Sequence, residues 1–338
     1  MFALAPARKR LVTRRRVVAG ALACLVCGAA ALLALWVLRP LAFLDALDWW
    51  TRSRAGLTTR TVTVGEQRWV YDEGGAGETL VLVHGFAGSR QDWYPMLRFL
   101  PRRYRLVIPD LPGWGDSGRD PAGDYGARAQ ADRLLAFLAA IGATRVHLVG
   151  HSMGGKISGL AAARDPARVA RLTLVANSGV HFRLNPFARE ILAGGNPFNV
   201  STRADWERLL AQAFERPPAL PGRIVDALIA RNVREHAFLS RTLGELRRGR
   251  HRYALEPALP ALPMPVHVIW CRHDRMLDVS SIDTMRPLIR DGRYDIIEDG
   301  CGHMPMLERP ATLAALIRDG RSAGSAAPSL HPGDGAGR

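Results

Sequence analysis

This chain of 338 residues contains few lysines and few cysteines, and its sequence shows no metal-ligand motif. It has four cysteines, and of its 46 basic residues only Lys9 and Lys156 are lysines. The histidines show no HExxH spacing, and Cys24 and Cys27 form a CxxC pair inside an apolar run, so the sequence predicts neither a metal site nor a cofactor. The formal net charge is +15, but the basic residues after the first fifty positions form no dense run. This distribution argues against a nucleic-acid partner.

The first forty residues differ in composition from the rest. Six basic residues precede 17–38, a run without any charged side chain. As a helix rising about 1.5 Å per residue, this run is long enough to cross a hydrocarbon layer of roughly 30 Å. Trp36, Trp49 and Trp50 lie where interfacial aromatic side chains are expected. We interpret the run as an uncleaved single-span anchor; a cleaved signal peptide and a twin-arginine signal remain alternatives.

The basic cluster before the anchor predicts a cytoplasmic N-terminus. The rest of the chain would then lie in the periplasm, against a bacterial inner membrane whose lipid is an expected partner. Cys271 and Cys301 could form a disulfide in such an oxidising compartment, or remain two buried thiols. The sequence leaves the oligomeric state open.

A serine lies at the apex of a strand–turn–helix pattern. Gly150-His151-Ser152-Met153-Gly154 follows the apolar run 146–149 and precedes a helical pattern at 156–164. Glycines two residues to either side of the serine allow strand and helix to approach closely. The pattern predicts Ser152 as a nucleophile and the N–H of Met153 as a donor to developing negative charge.

Two polar residues follow later strand-like runs. Asp274 comes after 266–270, and His303 comes after 294–297. Because the carboxyl ends of parallel strands meet at one edge of a sheet, these side chains are expected to lie together. We therefore predict His303 as the base that takes the serine proton, and Asp274 as the acid that orients it.

The loop His84-Gly85-Phe86-Ala87-Gly88 follows another strand-like run, 79–83. It predicts the backbone N–H of Phe86 as the second oxyanion donor. His84, His151 and His273 adjoin the motif residues and are expected to shape turns.

Strand-like and helical patterns alternate through most of the chain, which predicts a doubly wound, mostly parallel sheet. The alternation stops between 181 and 260, where helical patterns at 203–214, 223–233 and 235–248 predict a cap inserted after strand 6. Aromatic residues of this segment are candidates for an acyl pocket. They include Phe182, Phe187, Trp206 and Phe238.

Over roughly residues 60–320 the chain resembles the α/β-hydrolase superfamily, and within it the membrane-anchored monoacylglycerol lipases and the family V bacterial lipases and esterases. The stretches that carry this resemblance are 82–88, 109–113, 150–155, 274–278 and 298–310. It implies an α/β-hydrolase fold with an eight-stranded sheet. It also implies a Ser152–His303–Asp274 triad, with Phe86 and Met153 as oxyanion donors.

The resemblance further implies a membrane-tethered serine carboxylic-ester hydrolase that acts through an acyl-enzyme. Its expected substrates are monoacylglycerol-like or medium-chain acyl esters. C–C bond hydrolases, thioesterases and cofactor-free haloperoxidases use similar motifs and remain alternatives, as does a non-catalytic binding protein on this fold.

The predicted organisation has six parts. They are a basic cytoplasmic N-terminus (1–16), a transmembrane anchor (17–38), a connector (39–58), an α/β-hydrolase core (59–180 and 261–320), a helical cap (181–260) and a disordered tail (321–338).

Overall fold

The computed structural model describes residues 7–319. The predicted tail 321–338 and the first six residues of the basic N-terminus lie outside the described residues. The chain begins with α1 (Ala7–Leu38), in which nearly every side chain from residue 16 onward is exposed although most are apolar. Among the described residues, Arg16–Leu38 is the one helical stretch long and apolar enough to cross a membrane.

A second helix, α2 (Ala42–Arg54), follows α1 after a short turn and buries none of its residues. Trp49 and Trp50 on this helix are more than half exposed. The end of α1 also contacts a distant part of the chain, because Arg223 Nη2 donates a hydrogen bond of 2.9 Å to the carbonyl oxygen of Val37. The helix α1 is thus joined to the helical segment that follows β6.

Eight strands form one sheet in the order β1-β2-β4-β3-β5-β6-β7-β8. Their bounds are β1 (Thr58–Val64), β2 (Gln67–Gly74), β3 (Glu78–Val83), β4 (Tyr104–Pro109), β5 (Val146–His151), β6 (Val169–Val175), β7 (Val266–Cys271) and β8 (Gly292–Ile297). The pairs β1–β2 and β2–β4 are antiparallel, and the other neighbours are parallel. The predicted eight-stranded, mostly parallel sheet is confirmed.

Helices cover both faces of the sheet, which explains why the central strands are continuous apolar runs. One face packs against α4 (Ala127–Ala140) and α5 (Met153–Arg164), with Phe137 and Ile157 fully buried. The other face packs against α3 (Tyr94–Leu97) and α12 (Pro310–Asp319). The sheet therefore lies in the middle of three layers, and its carboxyl edge is left for loops.

Four helices lie between β6 and β7, within the segment 181–260 that the sequence predicts as the cap. They are α6 (Pro186–Leu192), α7 (Arg203–Ala213), α8 (Gly222–Arg247) and α9 (Gly249–Arg252). The patterns predicted as two helices, 223–233 and 235–248, form the single helix α8, because neither glycine nor proline separates them. The remaining helices are α10 (Ser281–Met285), α11 (Pro305–Glu308) and α12 (Pro310–Asp319), with 3₁₀ turns at Arg90–Trp93 and Glu256–Ala261.

Candidate active site

Ser152 lies in the tight turn between β5 and α5. Its φ of 52° falls in the left-handed region, which is rare for a residue with a side chain and costs about 1–3 kcal/mol. A Cβ on Gly154 would lie 2.3 Å from the carbonyl oxygen of His84, and one on Gly150 would lie 2.4 Å from that of Gly154. Only glycine fits these two positions, so the motif allows the strand, the helix and the neighbouring loop to meet around the serine.

The loop after β3 passes directly beside the serine. A Cβ on Gly85 would lie 3.1 Å from Cβ of Ser152, so the glycine permits the close approach. Phe86, the next residue, lines the same cavity as Ser152 and Met153. Met153 is the first residue of α5, where backbone N–H groups have no partner within the helix. Two backbone segments thus flank Ser152 where N–H donors to an oxyanion are expected.

His303 and Asp274 meet at the carboxyl edge of the sheet. His303 Nδ1 lies 2.8 Å from Asp274 Oδ2, and the two residues are 5% and 6% exposed. The other carboxylate oxygen, Oδ1, accepts hydrogen bonds of 2.9 Å from the N–H groups of Met276 and Leu277. Because the carboxylate can only accept, Nδ1 carries the proton, and Nε2 of a neutral His303 is left as the acceptor.

The backbone of His303 is also fixed on both sides. Its N–H donates a hydrogen bond of 2.7 Å to the carbonyl oxygen of Ala213 in the cap. Its carbonyl oxygen lies 2.8 Å from Nε2 of His151, the residue before the serine. These contacts connect the base to the cap and to the serine turn.

The structure places two of the neighbouring histidines as neutral, buried groups. Burial, with the nearby His303 ring, holds the pKa of His151 well below its ordinary value. Burial also lowers the pKa of His84, which accepts a hydrogen bond of 3.0 Å at Nε2 from the N–H of Leu111 and lies 2.8 Å through Nδ1 from the carbonyl oxygen of Gly85. His273 is exposed and lies 3.6 Å from a carboxylate oxygen of Asp299.

A disulfide joins the loops that carry the acid and the base. Cys271 ends β7, three residues before Asp274, and Cys301 precedes His303 by two residues. Their Cα atoms are 5.7 Å apart and both side chains are fully buried. Of the two alternatives left open by the sequence, the structure contains the disulfide.

A buried ion-pair cluster supports the loop that carries Phe86. The guanidinium of Arg90 contacts the carboxylate of Asp110 and lies 3.4 Å from that of Asp72 and 2.7 Å from that of Asp116. The backbone N–H of Arg90 also donates a hydrogen bond of 2.7 Å to Asp110. Nothing in the spacing of these residues along the sequence indicates that they meet in the fold.

A cavity of about 150 Å³ lies between the carboxyl edge of the sheet and the cap. Ser152, His303, Phe86 and Met153 line it on the sheet side. Most of its other lining residues are apolar. They are Val180, Phe182, Leu184, Phe187, Ala188, Ile191, Leu192, Phe198, Leu243, Leu246, Met276 and Leu277.

Two of the predicted pocket residues lie elsewhere. Phe182 and Phe187 line the cavity, but Trp206 and Phe238 do not. Trp206 packs beside Val200 between α7 and α8, while Phe238 is buried against Trp114 at a ring-centroid distance of 5.0 Å. Helical periodicity correctly indicates that both rings pack in apolar surroundings. However, Trp206 lies in the contact between α7 and α8, and Phe238 faces the main core, so neither ring reaches the cavity.

The three cationic residues that line the cavity, Lys156, Arg247 and Arg252, were not among the predicted pocket residues. The scarcity of lysine in this arginine-rich chain was the available signal for Lys156. Within residues 7–319, no group of three His, Cys, Asp or Glu side chains is arranged to hold a metal ion.

The chain is similar to several known lipases. The chain is 27% identical over 297 residues to the monoacylglycerol lipase abhd6-B of Xenopus laevis, covering 84% of this chain and 88% of that protein. It is 29% identical over 262 residues to Lipase 1 of Psychrobacter immobilis, covering 76% of this chain and 82% of the lipase. A solved membrane phospholipase A, described as a novel bacterial virulence factor, aligns with a TM-score of 0.80 and 38% identity over 91% of this chain and 100% of that one.

The family defined by the alpha/beta hydrolase fold matches residues 78–310. This range includes Ser152, Asp274 and His303 and the helical segment between β6 and β7. The match covers more than half of the chain. The chain therefore belongs to the alpha/beta hydrolase fold family.

Proposed function

We propose that this protein is a membrane-tethered serine carboxylic-ester hydrolase that acts on monoacylglycerol-like or medium-chain acyl esters. The observation that carries the proposal is the 2.8 Å contact between His303 Nδ1 and Asp274 Oδ2, together with the shared cavity of His303 and Ser152. The similarity to monoacylglycerol lipases, to a bacterial lipase and to a membrane phospholipase A supports an ester-hydrolase reaction.

In the first half of the proposed reaction, Ser152 is acylated. Nε2 of His303 takes the hydroxyl proton as Oγ attacks the ester carbonyl carbon. Asp274 keeps the proton on Nδ1 and stabilises the imidazolium that forms. The imidazolium then gives its Nε2 proton to the leaving alcohol oxygen, and the acyl group stays on Ser152.

In the second half, water removes the acyl group. His303 takes a proton from the water, whose oxygen attacks the acyl carbonyl carbon, and then returns that proton to Oγ of Ser152 as the fatty acid leaves. In both halves the N–H groups of Phe86 and Met153 bind the carbonyl oxygen as it becomes negative. Each such donor contributes roughly 3 kcal/mol to transition-state stabilisation.

The proposed location is a bacterial inner membrane, with the hydrolase domain in the periplasm. Arg16–Leu38 would cross the bilayer, and the basic residues before it favour a cytoplasmic N-terminus. The disulfide Cys271–Cys301 agrees with an oxidising compartment on the far side. The mostly apolar lining of the cavity suits an ester that partitions into lipid.

A fluorophosphonate probe tests the role of the serine. It should label the full-length enzyme in detergent but not Ser152→Ala, whose hydrolysis of p-nitrophenyl esters should fall on the order of 10⁶-fold. Ser178 lines the same cavity, so Ser178→Ala is the matched control and should still be labelled.

Esters of increasing acyl length then test the substrate class. We expect kcat/KM to rise from acetyl to medium-chain esters as more apolar surface is buried in the cavity. Labelling that persists in Ser152→Ala would rule out the proposed nucleophile. Turnover confined to acetyl esters would rule out the lipid substrate.

A further inference from the structure

Three positively charged side chains line the mostly apolar cavity beside Ser152. They are Lys156, Arg247 and Arg252, and neither aspartate nor glutamate lines the same cavity. Cations are costly to place against an apolar cavity unless an anion or a polar partner compensates them. These three charges therefore need a compensating group, and no carboxylate of the cavity lining provides one.

Lys156 is the most deeply placed of them, with only 3% of its surface exposed. It lies in the first turn of α5, four residues after Ser152, and lines the same cavity as the serine. Its stem packs on Gly179, where a Cβ would approach Cγ and Cδ of the lysine to 2.8 Å. The ammonium group donates a hydrogen bond of 3.2 Å to the carbonyl oxygen of His251.

The ammonium group of Lys156 has three N–H donors, and a single backbone carbonyl does not balance its charge. Burial lowers the pKa of Lys156 to about 8, with no contribution from a neighbouring carboxylate. The side chain is therefore still mostly protonated at neutral pH, although water is largely excluded from it.

Arg247 and Arg252 reach the cavity from the end of the cap. Arg252 is the residue after His251, whose carbonyl oxygen holds Lys156, and Arg247 lies in the last turn of α8. Nη1 of Arg247 lies 3.4 Å from the carbonyl oxygen of Ile191. Within the part of the chain that the structure describes, no carboxylate forms an ion pair with Lys156, Arg247 or Arg252. By contrast, arginines such as Arg90, Arg168 and Arg208 do have carboxylate partners.

We propose that Lys156, Arg247 and Arg252 form an anion subsite that binds the phosphate of a glycerophospholipid or lysophospholipid ester while its carbonyl group lies at Ser152. This inference rests on the proposed ester-hydrolase function and narrows its substrate class. The acyl chain lies against the apolar wall formed by Phe182, Phe187 and their neighbours.

A phosphate oxygen accepts charge-assisted hydrogen bonds from both lysine and arginine, and these are stronger than bonds between neutral groups. An anion would supply the buried ammonium with the counter-charge that it lacks within the described chain. A neutral monoacylglycerol would leave the three cations without a counter-charge. The carboxylate of a released fatty acid is a second source of the same chemistry, and it is a product rather than a substrate.

The test compares two esters with the same acyl chain, a lysophosphatidylglycerol and a monoacylglycerol, in micelles of an uncharged detergent. The full-length enzyme should have the higher kcat/KM on the phosphate ester. In Lys156→Gln and in Arg252→Gln, the ratio of the two kcat/KM values should fall about tenfold or more, as expected when a charge-assisted hydrogen bond is lost. Arg252 is only half-buried, so its variant preserves the test if the Lys156 variant fails to fold.

Arg248→Gln is the matched control, because Arg248 lies in the same turn of the cap but is exposed and does not line the cavity. It should keep the wild-type ratio. A ratio that is unchanged in both subsite variants, or a wild-type enzyme that prefers the neutral ester, would overturn the anion subsite.

Two further measurements separate the remaining outcomes. If oleate inhibits the wild type and this inhibition is relieved in the variants while the ratio is unchanged, the subsite binds the product carboxylate and the phosphate assignment is wrong. Binding of lysophosphatidylglycerol to Ser152→Ala, measured by calorimetry, does not depend on turnover. If adding Lys156→Gln lowers this affinity about tenfold, the result supports the subsite even if the ester-hydrolase proposal fails. If the affinity is unchanged, the subsite is overturned.

Discussion

Removing the disulfide Cys271–Cys301 should lower the stability of the domain without changing its fold. The two cysteines are separated by 30 residues, so the bond closes a loop of that length in the unfolded chain. The entropy of closing such a loop corresponds to about 4 kcal/mol at room temperature. For a domain of this size, that loss lowers the melting temperature by roughly 8–16 °C.

The measurement is a thermal melt of the full-length protein in detergent, followed by circular dichroism, for the wild type and for the double variant Cys271→Ala and Cys301→Ala. Reductant should lower the melting temperature of the wild type and leave that of the double variant unchanged. The matched control replaces Cys24 and Cys27, which are exposed on α1 and unpaired in the structure, and it should melt like the wild type.

A thiol titration of the denatured, unreduced wild type should find the two anchor cysteines and no others. Four titratable thiols would mean that the bond does not form. A double variant that melts within about 2 °C of the wild type would show that the loop constrains the unfolded chain far less than this reasoning requires.

The other predictions concern the serine turn, the buried lysine and the acyl wall. Gly154→Ala places a Cβ 2.3 Å from a backbone oxygen and should cost more than about 3 kcal/mol of unfolding free energy in denaturant melts, whereas Gly244→Ala, in open space on α8, should be neutral or stabilising. Because burial lowers the pKa of Lys156 from 10.5 to about 8, the unfolded state binds this proton more tightly, and the unfolding free energy should rise with pH between these values. Urea melts of Lys156→Met should lack this rise, and an equal pH slope in both proteins would contradict the burial of a charged lysine. Phe187→Ala should lower the long-chain to short-chain ratio of kcat/KM about tenfold, while Trp206→Ala, outside the cavity, should leave it unchanged; equal effects would contradict the assignment of the cavity.

The sheet could be predicted closely because each central strand is an apolar run with a clear end. Strands covered on both faces need apolar residues at every position, and the predicted run 266–270 differs from β7 by one residue. The serine turn could be predicted because steric limits at Gly150 and Gly154 leave a distinct pattern. Asp274 and His303 could be brought together by one rule, that parallel strands end at the same edge.

The cap was less predictable, for a physical reason. Helical periodicity identifies an apolar face but does not show whether that face meets the sheet, another helix or an open cavity. In the sequence, Trp206 and Phe238 therefore cannot be distinguished from Phe182 and Phe187 as pocket candidates. In the structure, only Phe182 and Phe187 line the cavity. The cationic residues of the cavity were missed because Arg247 and Arg252 lie among many other arginines, and only the folded chain separates those that face solvent from those that face Ser152.

The hydrogen bond from Arg223 to the carbonyl oxygen of Val37 joins the first turn of α8 to the last turn of α1. If α1 crosses a bilayer, as we propose, this bond would hold the cap at the boundary between lipid and water, where a lipid ester would arrive by lateral diffusion in two dimensions. The rate would then depend on the mole fraction of substrate in the surface rather than on its bulk concentration. Inert lipid added to the same vesicles would slow such an enzyme by surface dilution, even though the total amount of substrate is unchanged.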